Sequence, residues 1–273
     1  MIYLSIKNRP AKATDSVIKK TIPLLIALVT LGSSLLIPVQ TQANSEAIDA
    51  VVKEALELTP DLESGKKLYS TCALCHTPEG WGTPGGRFPQ IASQHKSVIL
   101  KQLADIHNNN RDNPTMYPFS EKIFAQGPQA LADVSAYIEK LPMVPNNSVG
   151  IGKNLAEGEK LYKDNCTTCH GEAGEGDAAE FYPRIHGQHY QYILRQMLWI
   201  KKGKRRNADK KMVKQIEGFS FRDLRVISDY VSRLQPDKNL LADRMDWRNP
   251  DFRAGFISAP KVQQELVPEK ADK

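Results

Sequence analysis

The chain has 273 residues, 41% of them hydrophobic and 25% charged, and a formal charge of +6. That length exceeds the usual single domain and leaves room for two cores of about 100 residues each, so two small domains are expected. The positive charge gives little support to nucleic-acid binding, because five basic side chains and one acidic one fall in the first 43 residues and only +2 remains without them.

Residues 1–43 read as an export signal. Lys7, Arg9, Lys12, Lys19 and Lys20 precede an apolar run from Ile22 to Val39, and Thr41-Gln42-Ala43 supplies a small-x-small cleavage pattern. The mature chain would begin near Asn44. An uncleaved anchor is the alternative, since the run approaches the ~20 residues that a bilayer crossing needs, although Pro23, Gly32, Ser33, Ser34 and Pro38 interrupt it.

Residues 44–141 read as a first helical domain. A helix runs into Cys72-Ala73-Leu74-Cys75-His76, a breaker-rich loop follows at Gly80–Gly86, and further helices are expected near 96–109 and 129–141. Residues 142–149 read as a linker that Pro142 and Pro145 keep short and stiff. Residues 150–235 repeat the plan, with Cys166-Thr167-Thr168-Cys169-His170, a loop at Gly171–Gly176, and helices near 188–202 and 220–234. Strand signals are scarce, so the fold class is all-α. The extension 236–273 carries Trp247, Phe252 and Phe256 and is expected to wrap back over a domain; a partner-docking arm is the other reading.

The two halves are an internal repeat at an offset of about 94 residues. Gly65-Lys66-Lys67-Leu68-Tyr69 matches Gly158-Glu159-Lys160-Leu161-Tyr162, and Pro89-Gln90-Ile91 with Gln94-His95 matches Pro183-Arg184-Ile185 with Gln188-His189. Ile99-Leu100-Lys101-Gln102 parallels Ile193-Leu194-Arg195-Gln196, and Ala136-Tyr137-Ile138 parallels Asp229-Tyr230-Val231. The charge is not repeated: residues 44–145 hold 9 Lys/Arg and 12 Asp/Glu, whereas 146–235 hold 16 and 11, making the second half the basic one.

Four cysteines in an exported chain would ordinarily suggest two disulfides. Here both pairs match the Cys-x-x-Cys-His pattern of covalent haem attachment. Two thiols three residues apart lie on one helical face and can form thioethers with the two haem vinyls, while the adjacent histidine reaches the iron. A thioredoxin-like pair or a zinc ribbon fits less well. A ribbon has roughly 15 to 20 residues between its pairs, against the 90 between Cys75 and Cys166, and neither asks for a histidine after each pair. Two covalent haem c groups are expected, bound through Cys72, Cys75, Cys166 and Cys169, with iron on His76 and His170.

On these motifs and the repeat, residues 60–235 resemble class I cytochromes c, specifically the di-haem c-four type of bacterial periplasms. The resemblance implies two tandem cytochrome c domains, each wrapped around one haem, with the first and last helices crossing at Gly65 and Gly158 against Tyr137 and Tyr230. It implies that a carbonyl at Pro89 and Pro183 accepts the imidazole N–H of the histidine 13 residues earlier; an ordinary loop proline is the other reading. It also implies methionine as the sixth ligand, and Met116 and Met212 lie 40 and 42 residues after His76 and His170. Met197 reads instead as core filling, because its repeat partner is Leu103. His95 and His189 are repeat-related and offer a bis-His alternative; otherwise they, His107 and His186 read as surface or locally bonded histidines.

His/Met ligation leaves no open iron position, so outer-sphere electron transfer is expected and no catalytic residue stands out. The expected partners are redox proteins, with a quinol-oxidising complex or dehydrogenase as donor and a terminal oxidase or reductase as acceptor. The expected location is the periplasm, with peripheral membrane association if the signal is kept. Two alternatives remain: a haem subunit of a larger enzyme, such as a flavin-containing sulfide dehydrogenase, and a haem enzyme or sensor with one open iron. Lys201, Lys202, Lys204, Arg205, Arg206, Lys210, Lys211 and Lys214 surround Met212 and could steer an acidic partner, although such a run is usually just a solvated face.

Overall fold

The computed structural model describes residues 49–253, 255 and 256, so the expected signal at 1–43 and the end of the extension lie outside the described residues. After a helical stretch over 49–57 (α1), the first domain contains α2 (Leu62–His76), α3 (Lys96–His107), α4 (Tyr117–Phe124) and α5 (Pro128–Lys140). The second contains α6 (Leu155–Asn165), α7 (Thr167–His170), α8 (Tyr190–Lys201), α9 (Lys210–Glu217) and α10 (Phe221–Val231). Among the described residues there are no strands, only isolated bridges at Met143–Leu241 and Asp177–Tyr182.

The closing helices show why the repeat folds twice in the same way. Leu131, Val134 and Ile138 of α5 are buried at helical spacing, as are Leu224, Ile227 and Val231 of α10. Burial of each such side chain contributes roughly 1.5–3 kcal/mol. The α10 start is fixed by a capping box between Ser220 and Asp223. Each closing helix crosses the helix leading into the cysteine motif. At the crossings Gly65 and Gly158 press on backbone: an added Cβ would lie 2.3 Å from Asp133 O or from Val226 O. Tyr137 and Tyr230 border these contacts and pack on Tyr69 and Tyr162, with ring centroids 5.2 and 5.6 Å apart. Met197 sits in the second core, and Ser228 Oγ donates to its sulfur at 3.3 Å.

One difference between the halves follows from a single residue. Two residues separate Tyr69 from Cys72, but three separate Tyr162 from Cys166. In the first domain α2 therefore runs unbroken to His76, whereas in the second the helix stops at Asn165, Cys166 adopts φ −122°, and a separate turn, α7, carries the motif. The short helices α4 and α9 were not expected from the sequence.

The two domains meet across a pseudo-two-fold interface. The Gln94 side chain donates to Arg184 O (2.9 Å) and accepts from Arg184 N (2.9 Å), while Gln188 donates to Gln90 O (2.8 Å) and accepts from Gln90 N (3.1 Å). Gln90 and Arg184 are themselves repeat partners, so each glutamine clasps the same backbone position of the opposite domain. His95 Nε2–H donates to Glu175 O (2.9 Å) and His189 Nε2–H to Trp81 O (2.8 Å), again related by the repeat offset. The reading of His95 and His189 as surface or locally bonded is corrected: both are buried and their partners lie 80 and 108 residues away, whereas His186, also buried, is bonded within its own domain, Nδ1–H to Ala173 O at 3.0 Å.

The segment between the domains is part of this interface. Met143 and Val144 are buried, Val144 N donates to Gln90 Oε1 (2.7 Å), and Asn147 Nδ2 donates to Gln188 O and Ser232 O, both at 2.8 Å. The extension wraps over the first domain. Asn249 Nδ2 donates to Pro78 O (2.7 Å), Asp251 pairs with Lys66 (3.0 Å), Phe252 packs on Tyr69, and Trp247 lies 5.9 Å from Trp81.

Candidate cofactor sites

Each site is built on the end of the helix that carries its cysteine pair. None of the four cysteines is in a disulfide, and all are partly covered by the fold. Burial pushes the Cys72 and Cys166 thiols up to about 12, which keeps them as thiols. His76 is buried and His170 half-buried, and burial holds both imidazoles below their ordinary value, in the neutral form that binds a metal.

The backbone fixes the orientation of both rings. His76 Nδ1–H donates to Pro89 O at 2.9 Å and His170 Nδ1–H to Pro183 O at 3.2 Å, so the proline carbonyls serve as the resemblance implied. With Nδ1 committed, Nε2 of each ring has no hydrogen-bond partner among the described residues and is the nitrogen that could coordinate a metal. Gly82 and Gly176 hold the clamp closed. Each has a positive φ (+69° and +68°), donates its N–H to the carbonyl of His76 or His170 (2.8 and 2.9 Å), and lies where a Cβ would strike the backbone at Pro89 or Pro183. These two glycines were missed as site residues in the sequence, where they stood only as loop breakers, although the repeat offset relates them.

Free thiol pairs, neutral imidazoles locked at Nδ1 and an unpartnered Nε2 suit covalent haem. Met116 and Met212 are both half-buried, but they are not equivalent: Met116 is the N-cap of α4, whereas Met212 lies in the first turn of α9, three residues after its cap Asp209. His95 and His189 are spent on the domain interface, which weighs against bis-His ligation.

The family model for cytochrome c matches this chain twice, at residues 62–142 and 155–235. The chain belongs to the cytochrome c family and to its di-haem c4 type. Cytochrome c4 of Pseudomonas aeruginosa is 31% identical over 182 residues, covering 64% of this chain and 89% of that protein. A thiosulfate dehydrogenase electron acceptor of Stutzerimonas stutzeri is 26% identical, covering 66% and 90%. The crystal structure of reduced recombinant cytochrome c4 from Pseudomonas stutzeri superposes with a TM-score of 0.56 at 27% identity, covering 65% of this chain and all of that one. The cytochrome therefore carries two covalent haem c groups and transfers electrons. No described helix is long and apolar enough to cross a membrane.

Proposed function

We propose that this cytochrome is an exported carrier, cleaved near Asn44, which takes electrons in the periplasm from a dehydrogenase or quinol-oxidising complex and delivers them to a terminal oxidase or reductase. Residues 44–141 and 150–235 are its haem domains. Cys72 and Cys75 hold the first haem and Cys166 and Cys169 the second; His76 and Met116 ligate one iron, and His170 and Met212 the other. The observation that carries this reading is the repeated lock of the histidine on the proline carbonyl, which prepares one iron-binding nitrogen in each domain. Bound haem supplies a one-electron Fe(III)/Fe(II) couple, and a thioether ligand raises its potential relative to harder donors. The protein holds the ring nitrogens fixed, covers the sites, and keeps the two domains in register through the Gln94 and Gln188 clasps. The relative named as an electron acceptor for thiosulfate dehydrogenase supports a dehydrogenase donor.

The ligand assignment is tested by the far-red sulfur-to-iron charge-transfer band of the oxidised protein, scaled to haem content. Two methionine-ligated irons are expected, with half the intensity lost in Met116→Ala and half in Met212→Ala. Intensity for one haem in the unaltered protein would instead favour an enzyme or sensor with an open iron.

A further inference from the structure

Across the 94-residue repeat, α3 and α8 present the same face with different chemistry. On α3, Lys101 pairs with Asp105 at 2.8 Å and Asn108 and Asn110 follow, so the face is neutral. The corresponding positions on and after α8 are Arg195, Trp199, Lys202 and Lys204, which bring three positive charges and no acid. Position 199 makes the difference: an indole stands where the carboxylate of Asp105 neutralises its lysine.

That indole is a platform for cations. Lys204 Nζ lies 4.5 Å and Arg195 Cζ 5.4 Å from its ring centroid. The backbone builds the platform. Gly203, at φ +66°, turns the chain at the end of α8, and Lys204 N donates to Trp199 O at 2.8 Å, which returns the ammonium to the ring. Arg195 is half-buried and donates through Nη2 to Arg87 O of the first domain (3.3 Å), while its buried Nε has no acceptor among the described residues. Beside these cations, Leu194 and Leu198 line a groove of about 400 Å³. Its lining includes none of the cysteines, histidines or methionines of the cofactor sites.

The first domain shows what covers such a face. There the counterparts Leu100 and Ala104 are buried in one cluster with Val52 and Ala55 of α1. Lys96 Nζ, at the start of α3, donates to Leu56 O (3.3 Å) and Leu58 O (3.5 Å) and so holds the end of α1 beside it. Asp49, Glu54 and Glu57 of α1 are exposed, which makes the cover an amphipathic helix with an acidic outer face. The second domain has no such helix, because residues 142–154, which lead into α6, form none. Its groove therefore lacks the cover and carries the positive charge. We propose that the α8 groove is a docking site for an acidic amphipathic helix of a partner protein, laid over Leu194 and Leu198 with its carboxylates on Arg195, Lys202 and Lys204. This requires no particular donor or acceptor and does not use the assignment of Met116 and Met212.

The probe for the test is a synthetic peptide with the sequence of residues 45–58, which carries four acids and one lysine and copies the cover of the first domain. It is titrated into the fully loaded di-haem protein, with affinity read by calorimetry and contact by the shift of the Trp199 indole N–H resonance. The expected result is binding that weakens with salt and shifts Trp199. Trp199→Asp, which restores the first-domain residue, and the double variant Lys202→Gln with Lys204→Gln should each bind about tenfold more weakly or worse, as should a peptide whose four acids are changed to glutamine. If Trp199→Asp does not fold, the lysine double variant decides. Absence of binding to the parent, binding indifferent to the α8 variants, or equal binding of the glutamine peptide would each overturn the proposal. Self-association of the parent that Trp199→Asp abolishes would give the groove to a second copy of the chain and overturn the partner assignment. Binding is read without electron transfer, so failure of the carrier reading and failure of this one are separate results.

Discussion

Gly65→Ala sets a known gain against a known clash. In a helix interior alanine is favoured over glycine by about 1 kcal/mol. At this site, however, the new Cβ would lie 2.3 Å from Asp133 O and 2.9 Å from Tyr137 Cβ. Restoring ordinary contact requires α2 and α5 to separate by about 1 Å. Neither atom is the end of a flexible side chain, and separation would strain the bond from Asp61 N to Asp133 Oδ1 (2.8 Å) and the packing of Tyr69 on Tyr137. Overpacking of this kind typically costs 1–3 kcal/mol, and a rigid helix crossing belongs at the upper end. The net expectation is a loss of about 1–2 kcal/mol, read as a lower denaturant midpoint for the first domain by far-UV circular dichroism. Gly218→Ala is the control: its φ is −77° and nothing lies within 4 Å of the added carbon, so it should be neutral or gain up to about 1 kcal/mol. If Gly65→Ala were as stable as the parent while the control behaved as stated, the close-crossing argument would fail.

Gln94→Ala removes both bonds to Arg184 and leaves its backbone groups unpaired, so it should destabilise domain docking by about 1–3 kcal/mol, measured as increased amide hydrogen exchange at residues 184–189. His95, His186 and His189 are held below their ordinary value, chiefly by burial, so below about pH 6.5 the unfolded chain binds more protons than the folded one. Their contribution to stability is therefore present above that pH and lost as the pH falls through the folded values; His189→Gln should flatten the decline of the denaturant midpoint on acidification, and an unchanged slope would remove His189 from the account. Lys210 and Lys211 are exposed on α9 beside Met212, and reversing both charges should slow electron delivery to an acidic partner at low salt and weaken its salt dependence. If the salt dependence stayed the same, this face would be an ordinary solvated surface.

The parts of the fold that could be read in the sequence are those whose information is local or periodic. Cys72–His76 and Cys166–His170 announce themselves in five residues; the repeat pairs Pro89 with Pro183 and Gly65 with Gly158, but their roles as carbonyl acceptors and crossing points were implied by the family resemblance alone. The helices α4 and α9 were missed because each has only 8 residues. The first begins with Tyr117-Pro118, and the second is largely polar, so neither shows enough turns to establish a period. The non-equivalence of Met116 and Met212 was hidden for the same reason, since it is a matter of register on those helices. The interface was opaque because its information is pairwise and distant. Nothing in Gln94 or His95 alone says that Arg184 O and Glu175 O will meet them, and both residues were legible only as repeat partners. A close comparison of the two copies also contained the extra residue between Tyr162 and Cys166, whose effect on the helix became visible only as the break at Cys166.

The features that break the repeat lie on the surfaces of the two domains. The first domain is strapped by the extension through Asn249, Asp251 and Phe252, which cover Tyr69 and Tyr137 and reach Pro78, two residues beyond His76. Among the described residues the second domain shows no counterpart to this strap over Tyr162 and Tyr230. Its lysines accumulate instead on α9 and around Lys201–Lys204, while α4 of the first domain carries one glutamate and one lysine. Duplication supplied two similar haem-attachment frames, each holding the histidine of its Cys-x-x-Cys-His motif on a proline carbonyl. Selectivity between donor and acceptor would then lie outside those frames, in the covered surface of the first domain and the basic surface of the second.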